Sequence, residues 1–327
     1  MTSVAVTKPP ARPAPPSRPA PRPGAAAAEA RLMGLFTTEG LVMALLLGAG
    51  FAALFYRWFH FQHRHSWGAP DDWGHSYVVP LISGYLIWQR RREIAALPAR
   101  RFWPALAPFI LGIGAYFFFV ATRFTGGHMI QGWAMLLTLM SLVLLMLGPR
   151  LFAPLFLPLA YLVFGITISE AVMIKLTAPL QVIASQGAYA ILSVIGAGAG
   201  FGVELSGTVI EMGTAGGRIP LNVAEQCAGM RTVVAFFALA GATALLGCRH
   251  WWQRIALLLL AAPVATAVNV GRVAVLGLLS LADPNLSTGG AHMLVGQLLL
   301  IPGLLLFLLV LWTLKKIVRD DPGAAPA

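Results

Sequence analysis

The sequence predicts an all-α polytopic membrane protein of about eight transmembrane helices, with a long outer loop that holds an interfacial helix and a short β-hairpin. Three observations predict it. Of the 327 residues, 58% are hydrophobic and only 11% charged, against about 25% charged in a typical soluble domain. Several apolar runs approach the roughly 20 residues needed to cross a hydrocarbon core. The cations lie in short segments between those runs, with a strong bias to alternate connections. The net charge of +11 therefore reads as membrane topology and makes no case for nucleic-acid binding.

Residues 1–34 form a Pro/Ala-rich tail with scattered Lys8, Arg12, Arg18 and Arg22. Such a stretch cannot bury a core and reads as a disordered cytoplasmic tail, without the h-region of a secretory signal. A transmembrane domain follows over 35–314, and 315–327 is a short cytoplasmic tail. The apolar runs place spans at about 35–56, 76–89, 103–121, 129–147, 151–168, 229–247, 254–277 and 292–313. Trp88, Trp103, Trp251, Trp252 and Trp312 fall near span ends, where interfacial aromatics belong. The segment 57–75 reads as an outer loop with Asp71, Asp72 and four histidines, of which His60, His63 and His65 are loop residues. In the longest loop, 169–228, helical apolar spacing over about 171–197 is broken by Lys175, Gln181 and Gln186, as in a helix lying in the interface. The Gly-rich alternation that follows predicts the hairpin. Glycine-rich spans allow close packing within one chain or between chains.

Orientation follows from the cations. With the N-terminus inside, 16 of the 23 Lys and Arg residues fall on the cytoplasmic side. The other seven are Arg57, Arg64, Arg123, Lys175, Arg218, Arg231 and Arg272. Both termini are then cytoplasmic, and the groups able to do chemistry gather at the outer face.

Cys227 sits in "NVAEQCAGMRT", where the outer loop meets the sixth span, with Arg231 one helical turn on. Helix N-termini and nearby cations lower a thiol pKa, so the setting suits a nucleophile; a small buried cysteine is the alternative. Cys248, at the cytoplasmic end of the same span, reads as structural and too distant to bridge Cys227. Arg272, in "NVGRVAVLG", lies inside the seventh span with Asn269 three residues before it on the same face. A guanidinium at that depth costs about 2.5–3.5 kcal/mol on insertion scales, so it faces a polar site or snorkels to the interface. His292, in "GGAHMLVGQ", opens the eighth span as either an interfacial polar residue or a proton-transfer group. Thiol, imidazole and guanidinium come from three helices yet fall at one depth, a combination that supports acyl transfer. No metal-ligand spacing or GxSxG is present, and nothing points to a metal or cofactor.

These segments resemble the exosortase/archaeosortase transpeptidases over roughly residues 40–313. "EQCAGMRT" is similar to the family's acidic–x–Cys–small–Gly–apolar–Arg pattern, "NVGRVAVL" to its Asn–x–x–Arg segment, and "HMLVGQ" to its His–x–x–x–Gly. "DDWGHSYVVPLISGYLIWQRRRE" looks like its early Asp…His segment, short span and basic stop. The resemblance implies a membrane cysteine endopeptidase that cleaves C-terminal sorting signals at the outer face of the cytoplasmic membrane. Its partners would be proteins ending in Pro-Glu-Pro, a hydrophobic helix and a basic tail. By motif, Cys227 carries over as nucleophile, Arg272 as the transition-state or substrate-positioning cation, and His292 as the proton-transfer group. Asp72, His75, Glu225, Arg231 and Asn269 match family positions and are expected to bind substrate. Two other readings use Arg272 and Asn269 in a polar path: a transporter, or a transferase for lipid-linked glycans.

Overall fold

The computed structural model describes residues 38–124, 126–214, 217–223, 232–248, 250–283, 298 and 300–317. The expected tail over 1–34 and most of that over 315–327 lie outside the described residues.

Helix α1 (Thr38–Leu54) is continuously apolar, and α2 (Tyr56–Gly68) turns away from it by 70°. Phe55, fully buried at the bend, packs edge-on against Tyr116 with ring centroids 4.6 Å apart. Here the expected outer loop over 57–75 is corrected. It is α2, a single turn α3 (Pro70–Trp73), and the start of α4 (His75–Gln89). No glycine or proline interrupts 56–66, and Trp58, Gln62 and Ser66, four residues apart, supply one buried helical face. His60, His63 and His65 are therefore helical, and His63 shares a 2.8 Å hydrogen bond with the Tyr77 hydroxyl.

A short helix α5 (Arg91–Ala96) leads through Trp103–Ala105 into α6 (Leu106–Ala121). Helix α7 (Gly127–Tyr161) breaks at Gly148, whose φ of 79° and ψ of 171° only glycine adopts readily. The Arg100 and Phe102 amides donate to the Leu147 and Leu145 carbonyls at 3.2 and 2.9 Å, capping the first half. This break falls between the expected fourth and fifth spans. In the second half, Pro158 has no N–H for the Pro154 carbonyl, and Arg90 Nη1 donates to that carbonyl at 2.7 Å. Ser83 Oγ donates to the Pro158 carbonyl at 2.8 Å, so α4 and this half-helix run antiparallel in register.

Helix α8 (Glu170–Ala199) leads into a sheet of β1 (Gly202–Ser206), β2 (Val209–Thr214) and β3 (Gly217–Asn222) in the order β1-β2-β3, both pairs antiparallel. The expected hairpin is thus extended by a third strand. Pro220 is tolerated because β3 is an edge of this sheet. Helices α9 (Thr232–Gly247) and α10 (Trp251–Ala282) form a tight antiparallel hairpin. A capping box, in which the Gln253 side chain accepts from the His250 amide, starts α10. Helix α11 (Leu300–Ile317) lies along both: Gly303 backs onto Phe236 and Val268, and Gly247 onto Leu311.

The described residues hold four helices long and apolar enough to cross a membrane, or five with the bent α1–α2 pair taken as one. The eight expected spans are not recovered as eight. Spans four and five are one helix with a break, while the apolar stretches of α9 and α11 and all of α4 fall short of that length. The expected interfacial helix, α8, is itself long and apolar enough to qualify. Its contacts nevertheless stay at one end of the α9–α10 hairpin. Met173, near its start, clusters with Val234, and Gly187 and Leu192 approach Val270 and Gly277.

Candidate active site

The bundle has two chemically different ends. At one, Arg90 and Arg254 donate to the Pro154 and Cys248 carbonyls, and Arg100 caps the first half of α7. At the other lie His75, Trp73, Gly165, the start of α9 and the last turns of α10. The helical registers put them there: Val79 packs with Tyr161 and Ala238, and Trp73 with Val234.

This second end carries every expected site residue that the structure describes. Arg272 is buried, 9% exposed, on α10, with Asn269 three residues earlier on the same helix. Val273, beside Arg272, is fully buried in a core with Leu192, Ile210, Leu221 and Val223. The sheet therefore braces the end of α10 and leaves little freedom to the backbone that carries Arg272. Asp72 and His75 flank the buried Trp73 on the α3–α4 corner. The His75 and Trp73 ring centroids are 5.9 Å apart, and among the described residues the buried His75 Nε2 has no hydrogen-bond partner. Burial lowers the His75 pKa, against which the Phe164 and Asp72 carbonyls pull upward, so the ring favours its neutral form.

Cys227, Glu225, Arg231 and His292 lie outside the described residues. Their described flanks converge on the same end. Val223, just before residues 224–231, donates its amide to the Thr208 carbonyl at 2.9 Å and packs with Val273. Just after them, Val234 packs with Trp73 and Met173. Gly303, in the first turn of α11, lies against Val268, one turn from Arg272. Cys248, by contrast, is buried at the α9–α10 turn.

Two features were not anticipated. The first is a buried polar hub at Gln62. Its Oε1 accepts from Thr167 Oγ1 at 3.1 Å and contacts His128 Nε2 at 2.8 Å. Its Nε2 donates to Ser66 Oγ at 3.1 Å and to the Gly165 carbonyl at 3.2 Å. The four-residue spacing of Trp58, Gln62 and Ser66 was the available signal; the partners, more than a hundred residues away for Thr167, were not. The second feature is a cavity of about 730 Å³ above this hub, bounded by α2, the start of α7 and the start of α8. Arg57, Arg64 and Arg123 line it, and Trp73 and Met173 form the wall shared with the start of α9.

Comparison with known proteins bears on what this end does. The family model for transmembrane exosortases matches residues 67–312, three quarters of the chain, and takes in all four motif segments. The match starts at residue 67, later than the resemblance read from about residue 40. No curated protein and no solved structure matches the chain.

Proposed function

Because the chain belongs to the transmembrane exosortase family, we propose that it is a cysteine transpeptidase that cleaves C-terminal sorting signals of membrane-anchored proteins. One observation carries this reading: the family match over residues 67–312 covers the segments that hold Asp72, His75, Cys227, Arg272 and His292. The burial of Arg272 at the braced end of α10 supports it.

In the proposed mechanism, the Cys227 thiolate attacks the scissile carbonyl carbon, with His292 as the group that takes the thiol proton. Arg272 faces the oxyanion of the tetrahedral intermediate or positions the substrate. Collapse breaks the C–N bond, His292 returns the proton to the leaving amine, and a thioester remains on Cys227. An acceptor nucleophile or water then attacks the thioester, releases the chain and restores the thiol. Asp72, His75, Glu225, Arg231 and Asn269 are proposed to bind the substrate. The substrate ends in Pro-Glu-Pro, a hydrophobic helix and a basic tail, and that helix would sit in the bilayer beside the bundle. The work would be done at the outer face of the cytoplasmic membrane, with both termini inside.

The test is processing of a co-expressed tagged protein with such an ending. Cys227→Ala is expected to abolish cleavage while the enzyme still accumulates in the membrane; unchanged cleavage overturns the proposal. Arg272→Lys is expected to be strongly impaired, because a lysine has no planar fork. Near-normal processing by that variant would reduce the role of Arg272 to charge alone.

A further inference from the structure

We propose that the cavity lined by Arg57, Arg64 and Arg123 is a binding site for the phosphate-bearing headgroup of a membrane lipid. The argument starts from charge. Three arginines and a single carboxylate, Glu170, line the cavity, which leaves two positive charges in excess. Among the described residues the only ion pairs join Arg218 to Glu204 and Glu211, so none of the three guanidiniums has an ion-pair partner among them. They also belong to the minority of cations that the positive-inside pattern does not explain.

Backbone adds to the same sign. The cavity is lined by the first residues of α8 and of the half of α7 that precedes the Gly148 break, both several turns long. The two N-termini abut: a Cβ on Gly126 would lie 2.9 Å from the Ser169 Cβ. Each end carries a positive partial charge, which Glu170 in the first turn of α8 offsets only in part, so their meeting beside three guanidiniums favours an anion. Arg123 is held with φ of 48°, alone among the described non-glycine residues in that region, as if its side chain were aimed at some cost.

Size and lining identify the anion. A cavity of about 730 Å³ far exceeds a bare carboxylate and suits a headgroup with its glycerol. Two excess charges and forked donors match a phosphate ester. The rest of the wall is mixed: His65, His128, Gln131, Thr167 and Ser169 add polar groups. An apolar part comes from Phe61, Val120, Phe124 and Met129, with Phe61 and Phe124 more than half exposed at the rim. That places a hydrocarbon-compatible surface next to a phosphate-compatible one, which is the chemistry of a lipid at the bilayer interface.

The test uses full-length protein in a non-ionic detergent, titrated with dioctanoyl phosphatidic acid, dioctanoylglycerol, inorganic phosphate or a Pro-Glu-Pro peptide while the thermal unfolding midpoint is followed. The phosphatidic acid is expected to raise the midpoint saturably, the diacylglycerol to leave it unchanged, and phosphate to act only at much higher concentration. Arg64→Gln should bind about tenfold more weakly, Arg64→Lys should fall between, and Arg92→Gln, at the opposite end, should match the wild type. Wild-type binding by the Gln variants at 57, 64 and 123 alike overturns the site. Equal affinity for inorganic phosphate overturns the lipid assignment, and tighter binding of a Pro-Glu-Pro peptide reassigns the cavity to the protein substrate. Binding is read without turnover, so Cys227→Ala protein should give the same curve, and this inference and the proposed thiol chemistry fail separately.

Discussion

The two halves of this bundle keep their buried polar groups in opposite ways. In the half built from α2, α4 and the start of α7, polar side chains bond across the fold. Gln62 reaches Thr167, Gly165 and His128, and Ser76 Oγ donates to Ser66 Oγ at 2.9 Å. In the half built from α8 to α11, most described helix hydroxyls fold back onto their own helices, and the buried Ser193 Oγ has no partner among the described residues. Ser185 bonds Gln181, Thr243 bonds Leu239, and Thr266 bonds Ala262, each four residues back at 2.8 Å. Those bonds satisfy the hydroxyl and say nothing about the neighbouring helix. Among the described contacts, what joins the helices of the second half is shape: Gly303 against Phe236, Gly247 against Leu311, Gly187 against Val270. Specific polar geometry surrounds the arginine cavity, while close packing braces the end of α10 that carries Arg272.

The largest effect should come from adding volume where shape alone holds the second half. At Gly303 even a Cβ would overlap the ring of Phe236, which is buried together with Phe307. Gly303→Val should therefore lower stability by about 3 kcal/mol, the upper end for overpacking. Denaturant unfolding in detergent measures this. A loss under about 1 kcal/mol would mean that α11 can shift without penalty, and the contrast between the halves would fail.

Next is the hub of the other half. Gln62→Leu keeps most of the side-chain volume but leaves Thr167, Ser66 and the Gly165 carbonyl without their Gln62 partner. The expected cost is about 2 kcal/mol, since stranding buried polar groups outweighs a single lost bond. The same unfolding measurement checks it. A stability equal to wild type would show that water or rearranged partners replace the amide, and that the cross-fold bonds do not specify this half.

Legibility in the sequence follows the same division. The apolar runs showed that the chain is a helical membrane protein, because membrane helices satisfy their backbone within one segment. The family was readable because its motifs sit in short local patterns, as the segment with Asn269 and Arg272 does on α10. The break at Gly148 was legible too, since Gly-Pro cannot continue a helix without interruption. Helix α2 was not, because histidines and arginines in a polar run look like a loop until Trp58, Gln62 and Ser66 are seen to share a buried face. The arginine cavity was invisible for a deeper reason. Arg57, Arg64 and Arg123 come from two separate segments, and nothing local relates them to the α7 and α8 N-termini that they meet.

The smallest effect tests the contrast from the side of polarity. Tyr161 Oη donates to the Ala238 carbonyl at 3.0 Å, one of the few side-chain bonds from α7 to the motif-bearing half. Ala238 lies within α9, where its carbonyl can also accept from the helix backbone, so the bond adds to an acceptor that does not depend on it. Tyr161→Phe keeps the ring that packs with Phe164, at a centroid distance of 5.6 Å, and removes only the hydroxyl. The expected loss is about 0.5 kcal/mol, near the average for interhelical hydrogen bonds in membranes. If this variant instead loses as much as Gln62→Leu, polar bonds hold both halves equally, and shape cannot be what positions Arg272.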